Sequence, residues 1–291
     1  MSYEQSIALL DEETILAECG PMRLAIRAWQ DGRPQIALCR LAAESSFGYL
    51  EAVATHKSVL SDFAGNIKAL PENDLAQRMI ESVRAIGDID LTPMAAVAGT
   101  IADAVADWLF GRGPTKVVVD NGGDIAIRLA AGETATVGIR PQISHFDISH
   151  IARLDDRCSS WGVTTSGLGG RSFTRGIASA VTVLAASASV ADAAATAIAN
   201  ACYVRDKNIR QTPAEQIDPN TDLAGKMVTI SVGKLTGDKR KVAQINALQR
   251  AEDLVACGVI AGALIFQDAL YSMTSSLAAR ICRIDDCRAG S

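Results

Sequence analysis

The sequence predicts an α+β protein: layered sheets built mainly from hairpins, with alanine-rich helices packed on them. Three observations carry this prediction. Asn121-Gly122 stands between two β-rich runs, 116–120 and 124–128, and Asn-Gly in that setting is the strongest short hairpin signal. Residues 191–200 are alanine-rich and apolar nearly all round, the mark of a buried helix. The chain also has no Gly-x-Gly-x-x-Gly turn and fewer strand-helix-strand crossovers than hairpins, which disfavours a doubly wound parallel sheet.

The elements follow in order. Two short alternating stretches, 23–29 and 35–41, flank Asp31-Gly32 and read as a hairpin. Residues 50–70 have helical apolar spacing, broken at Pro71. His56 falls there as a partly exposed helix residue. A further helix fits 71–86, with Asn73 or Asp74 near its start and Gly87 at its end. Thr92-Pro93 opens the next helix, with Thr92 as cap and proline in the first turn; it runs from Met94 to Phe110 and stops at Gly111. Asp103 and Asp107 share a face of it and read as a solvated edge. Residues 134–141 form a strand leading to His145, Asp147 and His150, whose spacing suits loop residues better than a metal set. The polar stretch 205–222 reads as loops, either a lid or an inserted arm. A strand at 227–232 precedes an amphipathic helix at 241–257, with Ile245, Leu248, Ala251, Leu254 and Val255 on one face. The last strand, 259–266, contains Gly262, which marks a close approach of another element. The 291 residues read as one domain over 1–291, with two lobes, 1–113 and 114–291, as the finer division.

A net charge of -5 with no Lys/Arg cluster argues against nucleic acid as a partner. No run approaches the roughly eighteen apolar residues of a membrane span. Leu16-Ala17-Glu18-Cys19 superficially resembles a lipidation box. The residues before it carry no positive charge, however, and Asp11, Glu12 and Glu13 interrupt any apolar stretch. A cytoplasmic location is expected. The seven cysteines lack zinc spacing and read as buried free thiols, with Cys282 and Cys287 near enough in sequence to oxidise.

The most informative stretch runs from Trp161 to Cys202. A loop rich in Gly, Ser and Thr (162–172) is followed by an apolar strand and then the alanine-rich helix. In that helix Asp192, Thr196 and Asn200 recur at i, i+4 and i+8, forming one polar stripe. A buried carboxylate is costly unless it is paired or bound to a cation, so Asp192 requires a partner. Two readings stand. In the structural one, Asp192 bonds free helix-start amides and Thr196 bonds back to its own turn. In the functional one, the stripe faces a ligand and the glycines let backbone amides cradle an anion. Asn121, Gly122 and Gly123 divide in the same way. They either make the turn alone or, with Asp120 and Asp124 beside exposed amides, help to bind.

Thr165-Ser166-Gly167, the strand 180–184 and the helix 191–197 resemble the C-terminal motifs of the ApbE family, magnesium-dependent FAD:protein FMN transferases. Upstream, Val119-Asp120-Asn121-Gly122-Gly123-Asp124-Ile125 resembles that family's Asn-x-Gly-Gly-Asp hairpin, and the segment 95–103 resembles its Ala-x-Ala-Lys-Gly-x-x-x-Asp helix. The wording of 166–178 is closer still to a short branch of the ApbE-like superfamily. The resemblance implies an ApbE-like fold with Mg²⁺ and FAD, as ligand or substrate. It implies Asp192 and Thr196 as metal ligands, with a main-chain carbonyl near Ala95 as the third, and Asp103 turned toward the ligand. The family has a His-x-x-Asp-Pro-x-x-Gly loop between its Thr-Ser-Gly segment and its Val-x-Val strand. Here residues 171–179 fill that gap without a histidine, and Ala98 replaces the family's lysine. The resemblance therefore implies a retained metal-and-nucleotide frame with an incomplete transfer machinery.

Three functions compete. The first is an ApbE-like enzyme acting on a flavin nucleotide or another nucleotide pyrophosphate. Asp192, Thr196 and Ala95 would hold the metal, while the segment Thr165, Ser166, Gly167, Leu168, Gly169 and Gly170 would hold phosphates. Arg171 or Arg175 would neutralise developing charge, and Asp124 would serve as base. The second is a nucleotide or metabolite carrier or sensor of the same fold that has lost chemistry. The third is a structural subunit in which the small-residue helix forms a homodimer or other oligomer interface.

Overall fold

The protein is described by a computed structural model covering residues 3–143, 145–268 and 270–289. In chain order its elements begin with strands β1 (Gln5–Asp11), β2 (Thr14–Cys19), β3 (Met22–Gln30) and β4 (Arg33–Pro34). Helices α1 (Ile36–Thr55), α2 (Lys57–Leu60), α3 (Asp74–Ile86) and α4 (Val97–Phe110) follow. Then come β5 (Lys116–Asn121), β6 (Ile125–Leu129), β7 (Thr134–Ile139), β8 (His150–Asp155), β9 (Ser160–Ser166), β10 (Ala180–Ala185) and α5 (Ala188–Ala201). The chain finishes with β11 (Ile209–Pro213), β12 (Met227–Val232), α6 (Gly237–Ala256), β13 (Gly262–Gln267), β14 (Leu270–Met273), β15 (Ile281–Arg283) and α7 (Ile284–Ala289).

The chain divides into two compact units, each discontinuous in sequence. The first comprises 1–135, 154–164 and 185–192; the second comprises 136–153, 165–184 and 193–291. In the first unit the strands run β1-β2-β3-β5-β6-β9, with β4 on β3, paired antiparallel. Helix α4 packs on β5 and β6 and against α1. Its inward residues Ile101, Ala102, Val105, Ala106 and Leu109 are buried. The stretch Pro93–Phe110 is, among the described residues, the one long and apolar enough to cross a membrane by length and composition, and 56% of it is buried inside the protein. Here it serves as a core helix.

The second unit holds the antiparallel set β10-β13-β14, a three-stranded sheet β15-β8-β7 and the two-stranded ribbon β11-β12. Helix α6 packs on β13 and β14. Antiparallel pairing and alanine-rich helices on sheets are the α+β architecture that the hairpin pattern predicts.

Most local signals hold. Asn73 caps α3, accepting the Ala76 N–H at 3.0 Å, and Gly87 ends it at φ 84°. Strands β5 and β6 form the hairpin around Asn121-Gly122-Gly123. Gly262 opens β13 where a Cβ would collide with Leu277 and Thr274.

Four expectations are corrected. Residues 35–41 are not a strand but the start of α1. Cys39, Ala42, Ala43 and Ser46 are buried at helical spacing, and good helix formers downstream overrule a short alternation. Residues 50–70 are not one helix, since α1 ends at Thr55 and α2 is a single turn; His56 caps that junction, its Nδ1 2.9 Å from the Ala52 carbonyl. The polar arm 205–222 is not all loop, because β11 lies within it. On α6 the inward face is Ala243, Gln244, Ala247, Ala251 and Leu254, whereas Ile245 is 54% exposed. Of the face predicted from sequence, Ala251 and Leu254 are buried, Leu248 and Val255 are half-buried, and Ile245 points away, because alanines at 243 and 247 share the inward side.

The cysteines also differ from expectation. Cys19, Cys39 and Cys202 are buried thiols, pushed up to about 11 at Cys39 and about 12 at Cys202 by burial. Cys158 is half-buried and Cys257 exposed, while Cys282 is disulfide-bonded. The side chain of Cys287 lies outside the described residues.

The corrected face of α6 predicts that Ile245→Lys changes stability by no more than about 0.5 kcal/mol. Ala247→Lys, which buries an unpaired ammonium, should cost several-fold more. Thermal melts of the two variants check the assignment; equal losses would contradict it.

Candidate functional site

The site of the first unit is built where two helices begin. The first residues of a helix have amides with no partner within the helix. In α4 these include Ala98 and Gly99; in α5 they include Ala188 and Ser189. Each helix supplies the cap of the other. Asp192 of α5 accepts the Gly99 N–H at 3.0 Å and also bonds the Ala98 backbone. Asp103 of α4 accepts the N–H groups of Ala188 at 3.1 Å and Ser189 at 2.9 Å. An aspartate at a helix start is favoured by both the hydrogen bonds and the helix dipole.

Close approach makes this exchange geometrically possible. A Cβ on Gly99 would collide with the Ala188 carbonyl, and one on Gly162 with the Ser187 carbonyl. Asn121 secures the same corner. Its side-chain amide donates to the Ala98 carbonyl at 3.1 Å, and its oxygen accepts the Arg23 N–H at 3.2 Å.

Asp103 is fully buried, so the solvated-edge reading fails. Its charge is met by Arg128 of β6, Nη2 to Oδ1 at 2.9 Å, and Arg128 Nε also donates to Asp107 at 2.8 Å. Asp107 is exposed and binds Arg78 at 3.0 Å. Burial alone would depress the Arg128 pKa, but Asp103 and Asp107 more than reverse that and raise it. Sequence reasoning missed Arg128, Gly99 and Gly162 altogether. The available signal was one arginine in an otherwise apolar strand and two aspartates four apart in a largely apolar helix.

Asp192 is different, because no cation faces it among the described ion pairs. Desolvation pushes its pKa up to about 7; the Gly99 and Ala98 amides oppose this, and the Asp103 charge adds to it. Asp192, Thr196 and Asn200 are the residues of 191–200 that retain some exposure, while the other seven are buried. Within 191–200 the polar stripe read from sequence is the partly exposed line, and Val190 and Ala201 near the helix ends are partly exposed as well.

The other sequence-derived candidates fall as follows. Asn121-Gly122-Gly123-Asp124 is a tight turn in which the Asn121 N–H bonds the Asp124 carbonyl at 3.0 Å. Asp120 accepts the Gly123 N–H at 2.6 Å, and the glycines sit at φ 69° and 108°. Asp124 is half-buried. Ala95 lies in a short 3₁₀ turn before α4. In the second unit, Thr165 bonds Thr182 side chain to side chain at 2.8 Å, and Ser166 ends β9. Gly167 and Gly169 have φ values of 153° and 82°. Two loop amides are engaged internally, Leu168 N–H to the Ala178 carbonyl and Gly170 N–H to the Gly167 carbonyl. Arg171 is exposed and Arg175 half-buried. The histidines do not form a metal set. His145 is an exposed loop residue, whereas His150 is buried in β8 against Phe266 and Tyr271. Burial, then Arg283, lowers the His150 pKa.

This fold is that of the flavin transferases. The structure of the Pseudomonas stutzeri flavinyl transferase ApbE aligns with a TM-score of 0.51, covering 96% of this chain and 97% of that one at 14% identity. A mutant flavin transferase ApbE from Vibrio cholerae aligns equally well, covering 95% and 99% at 15% identity. A family model described as AbpE bacteria matches residues 7–275, and the chain belongs to that family. Among curated relatives, a UPF0280 protein of Methanosphaerula palustris is 34% identical over 188 residues, 63% of this chain and 73% of the relative. One from Methanopyrus kandleri is 36% identical over 172 residues, 54% and 66% of the two chains. One from Archaeoglobus fulgidus is 39% identical over 127 residues, 44% and 50%. The chain spans about half to two thirds of the length of the Methanopyrus and Archaeoglobus relatives.

Two predictions follow from the helix exchange. Arg128→Met strands a buried carboxylate and should cost about 3–5 kcal/mol; chemical denaturation checks this, and a loss under about 1 kcal/mol would show that the pair is not buried in solution. The second concerns Asp192. Its folded pKa of about 7 lies above the ordinary 3.8, so the folded state favours the protonated acid. Its stabilising contribution is complete below about pH 4 and drains away as pH rises to about 7. Without divalent metal, Asp192→Asn should therefore melt above wild type at pH 8 and level with it near pH 4.

Proposed function

We propose that the protein binds FAD or a related nucleotide pyrophosphate together with Mg²⁺. The observation that carries this reading is Asp192, a half-buried carboxyl on the polar stripe of α5 that bonds the start of α4 and has no cation facing it among the described ion pairs, its pKa pushed up to about 7 by burial. Such a group is stabilised in its charged form when a cation faces it. Thr196 lies one helical turn on, and the Ala95 carbonyl is the third protein ligand by resemblance to the family. Among the described residues no three His, Cys, Asp or Glu side chains form a metal-binding group. One carboxylate with neutral oxygens suits Mg²⁺, which takes much of its coordination from substrate phosphates and water, rather than zinc.

When bound, Mg²⁺ neutralises phosphate charge. The chain's own residues do the rest. Gly167 and Gly169 let the loop backbone approach the pyrophosphate closely. Arg171 and Arg175 oppose its charge, and Asp124 stands as the acid–base group. Asn121, Gly122 and Gly123 shape the turn beside Asp124. The ligand is a small-molecule nucleotide rather than nucleic acid, and the work is done in the cytoplasm. A carrier or sensor is the second reading, favoured by one observation: residues 171–179 contain no histidine.

Calorimetric titration with FAD, with and without Mg²⁺, tests the reading. Wild type should bind in a metal-dependent way, and Asp192→Asn should lose about 1–3 kcal/mol of that binding while remaining folded. No binding with any divalent ion would sink both the enzyme and the carrier readings. Incubation with FAD, Mg²⁺ and a flavinylation substrate should give no fluorescent band in a gel. Robust labelling would show that the missing histidine loop is dispensable.

A further inference from the structure

Strand β1 ends the sheet of the first unit. It pairs with β2 on one side and with no described strand on the other. Over 5–9 the pairing keeps unbroken register, and its one irregularity falls between Leu9 and Asp11. The Tyr3 ring lies against Gly20, where a Cβ would collide with it, so the strand is anchored at its start. It is nevertheless bare, since every residue of β1 except Ile7 is exposed. Leu9 is 56% exposed although Ile15, its partner across the ladder, is fully buried. Helix α1 explains the step, because it packs on β2 and β3 and reaches β1 only lightly. The helical layer stops one strand short of the sheet.

A sheet edge presents a row of unpaired N–H and C=O groups, and proteins ordinarily blunt it with proline, lysine, an inward charge or a cover. Residues 5–10 contain no proline and no charged side chain. The charges stand at the two ends instead. Residues 1–22 hold five carboxylates and no lysine or arginine. Glu18 is met by Arg23 at 3.0 Å, and Asp11 accepts the Glu13 N–H at 2.9 Å. Glu4 at one end, and Glu12 and Glu13 at the other, are exposed with no cation among the described ion pairs. This pattern decides the occupant. A second copy pairing antiparallel about Ala8 sets Glu4 of each chain opposite Glu12 of the other, and like charges directly across a ladder destabilise it. We propose that β1 is a docking edge for an extended segment of another protein, an apolar strand with lysine or arginine at its ends, which joins the sheet as one more strand. Main-chain hydrogen bonds supply the affinity, as in strand addition generally. Alternate side chains of the incoming strand cover Leu9, and its basic ends select it over other strands. The proposal is independent of the nucleotide reading.

The test uses the full chain and three fluorescein-labelled peptides. The first is Lys-Val-Thr-Val-Thr-Val-Lys, and the second has glutamate at both ends in place of lysine. The third, Lys-Pro-Thr-Pro-Thr-Pro-Lys, keeps the charge but loses the amides that a strand needs. By fluorescence anisotropy the first should bind roughly tenfold tighter than either of the others, with charge complementarity excluding the acidic peptide, and its affinity should fall with added salt. Amide hydrogen exchange across 5–10 should slow when it binds. Glu4→Lys with Glu12→Lys and Glu13→Lys should invert the preference between lysine and glutamate ends, and Leu9→Lys should weaken the first peptide. Melting curves accompany both variants. Equal binding of the proline peptide, or binding that leaves exchange at 5–10 unchanged, means plain charge attraction and overturns the proposal. A stable wild-type dimer that Leu9→Lys dissociates overturns it as well, because the occupant is then a second copy. If none of the peptides binds, β1 is not a docking edge and the proposal fails, while the nucleotide reading is untouched.

Discussion

The carboxylate of Asp103 is the constraint on which the first unit depends. It is fully buried, and it is tolerated because three partners meet it: Arg128 and the first two amides of α5. Removing any one leaves a charge or a donor unsatisfied in a medium where that is costly. The same contacts fix where α5 starts relative to α4, and so where Asp192 points. Asp192 then returns the cap, bonding the start of α4. The two helices are thus locked by an exchange of aspartates rather than by interdigitating large side chains.

That exchange explains the composition. Helices whose ends nearly touch a neighbouring backbone need glycine at the point of contact, as at Gly99 and Gly162, and alanine along the rest. The lock also leaves one side unbalanced. Asp103 has a full guanidinium, whereas burial, and after it the Asp103 charge, push the Asp192 pKa up to about 7 against the amides that bond it. The structure meets one carboxylate with a guanidinium and the other with amides alone.

The structural reading of Asp192 holds in an altered form. Asp192 does bond helix-start amides, as the structural reading required, but those of α4 rather than of its own helix. Asn200, the third member, holds the Arg175 backbone from below. The hairpin residue Asn121 likewise does more than make a turn, since its side chain ties Ala98 to β3. Residues that sequence marks as either structural or functional are here structural in a way that positions the candidate functional groups.

Local signals were legible because they depend on a few neighbouring residues. Asn73 and Gly87 bound α3 through a cap and a left-handed turn. Asn121-Gly122-Gly123 makes a hairpin by its positive φ angles, and the i, i+4, i+8 stripe lies along α5 because helical geometry puts it there. The family was legible too, through four short motifs in order. Tertiary structure alone decided which stripe of α6 faces β13, because alanine and leucine compete for the inside and only close approach favours alanine. It alone decided that 35–41 is helical, that Asp103 is buried, and that Arg128, some 25 residues away, is its partner. Such pairings have no sequence period. They arise when a strand and a helix, each set by its own local rules, pack together, and a charge that local rules would leave in water must find its counter-charge inside.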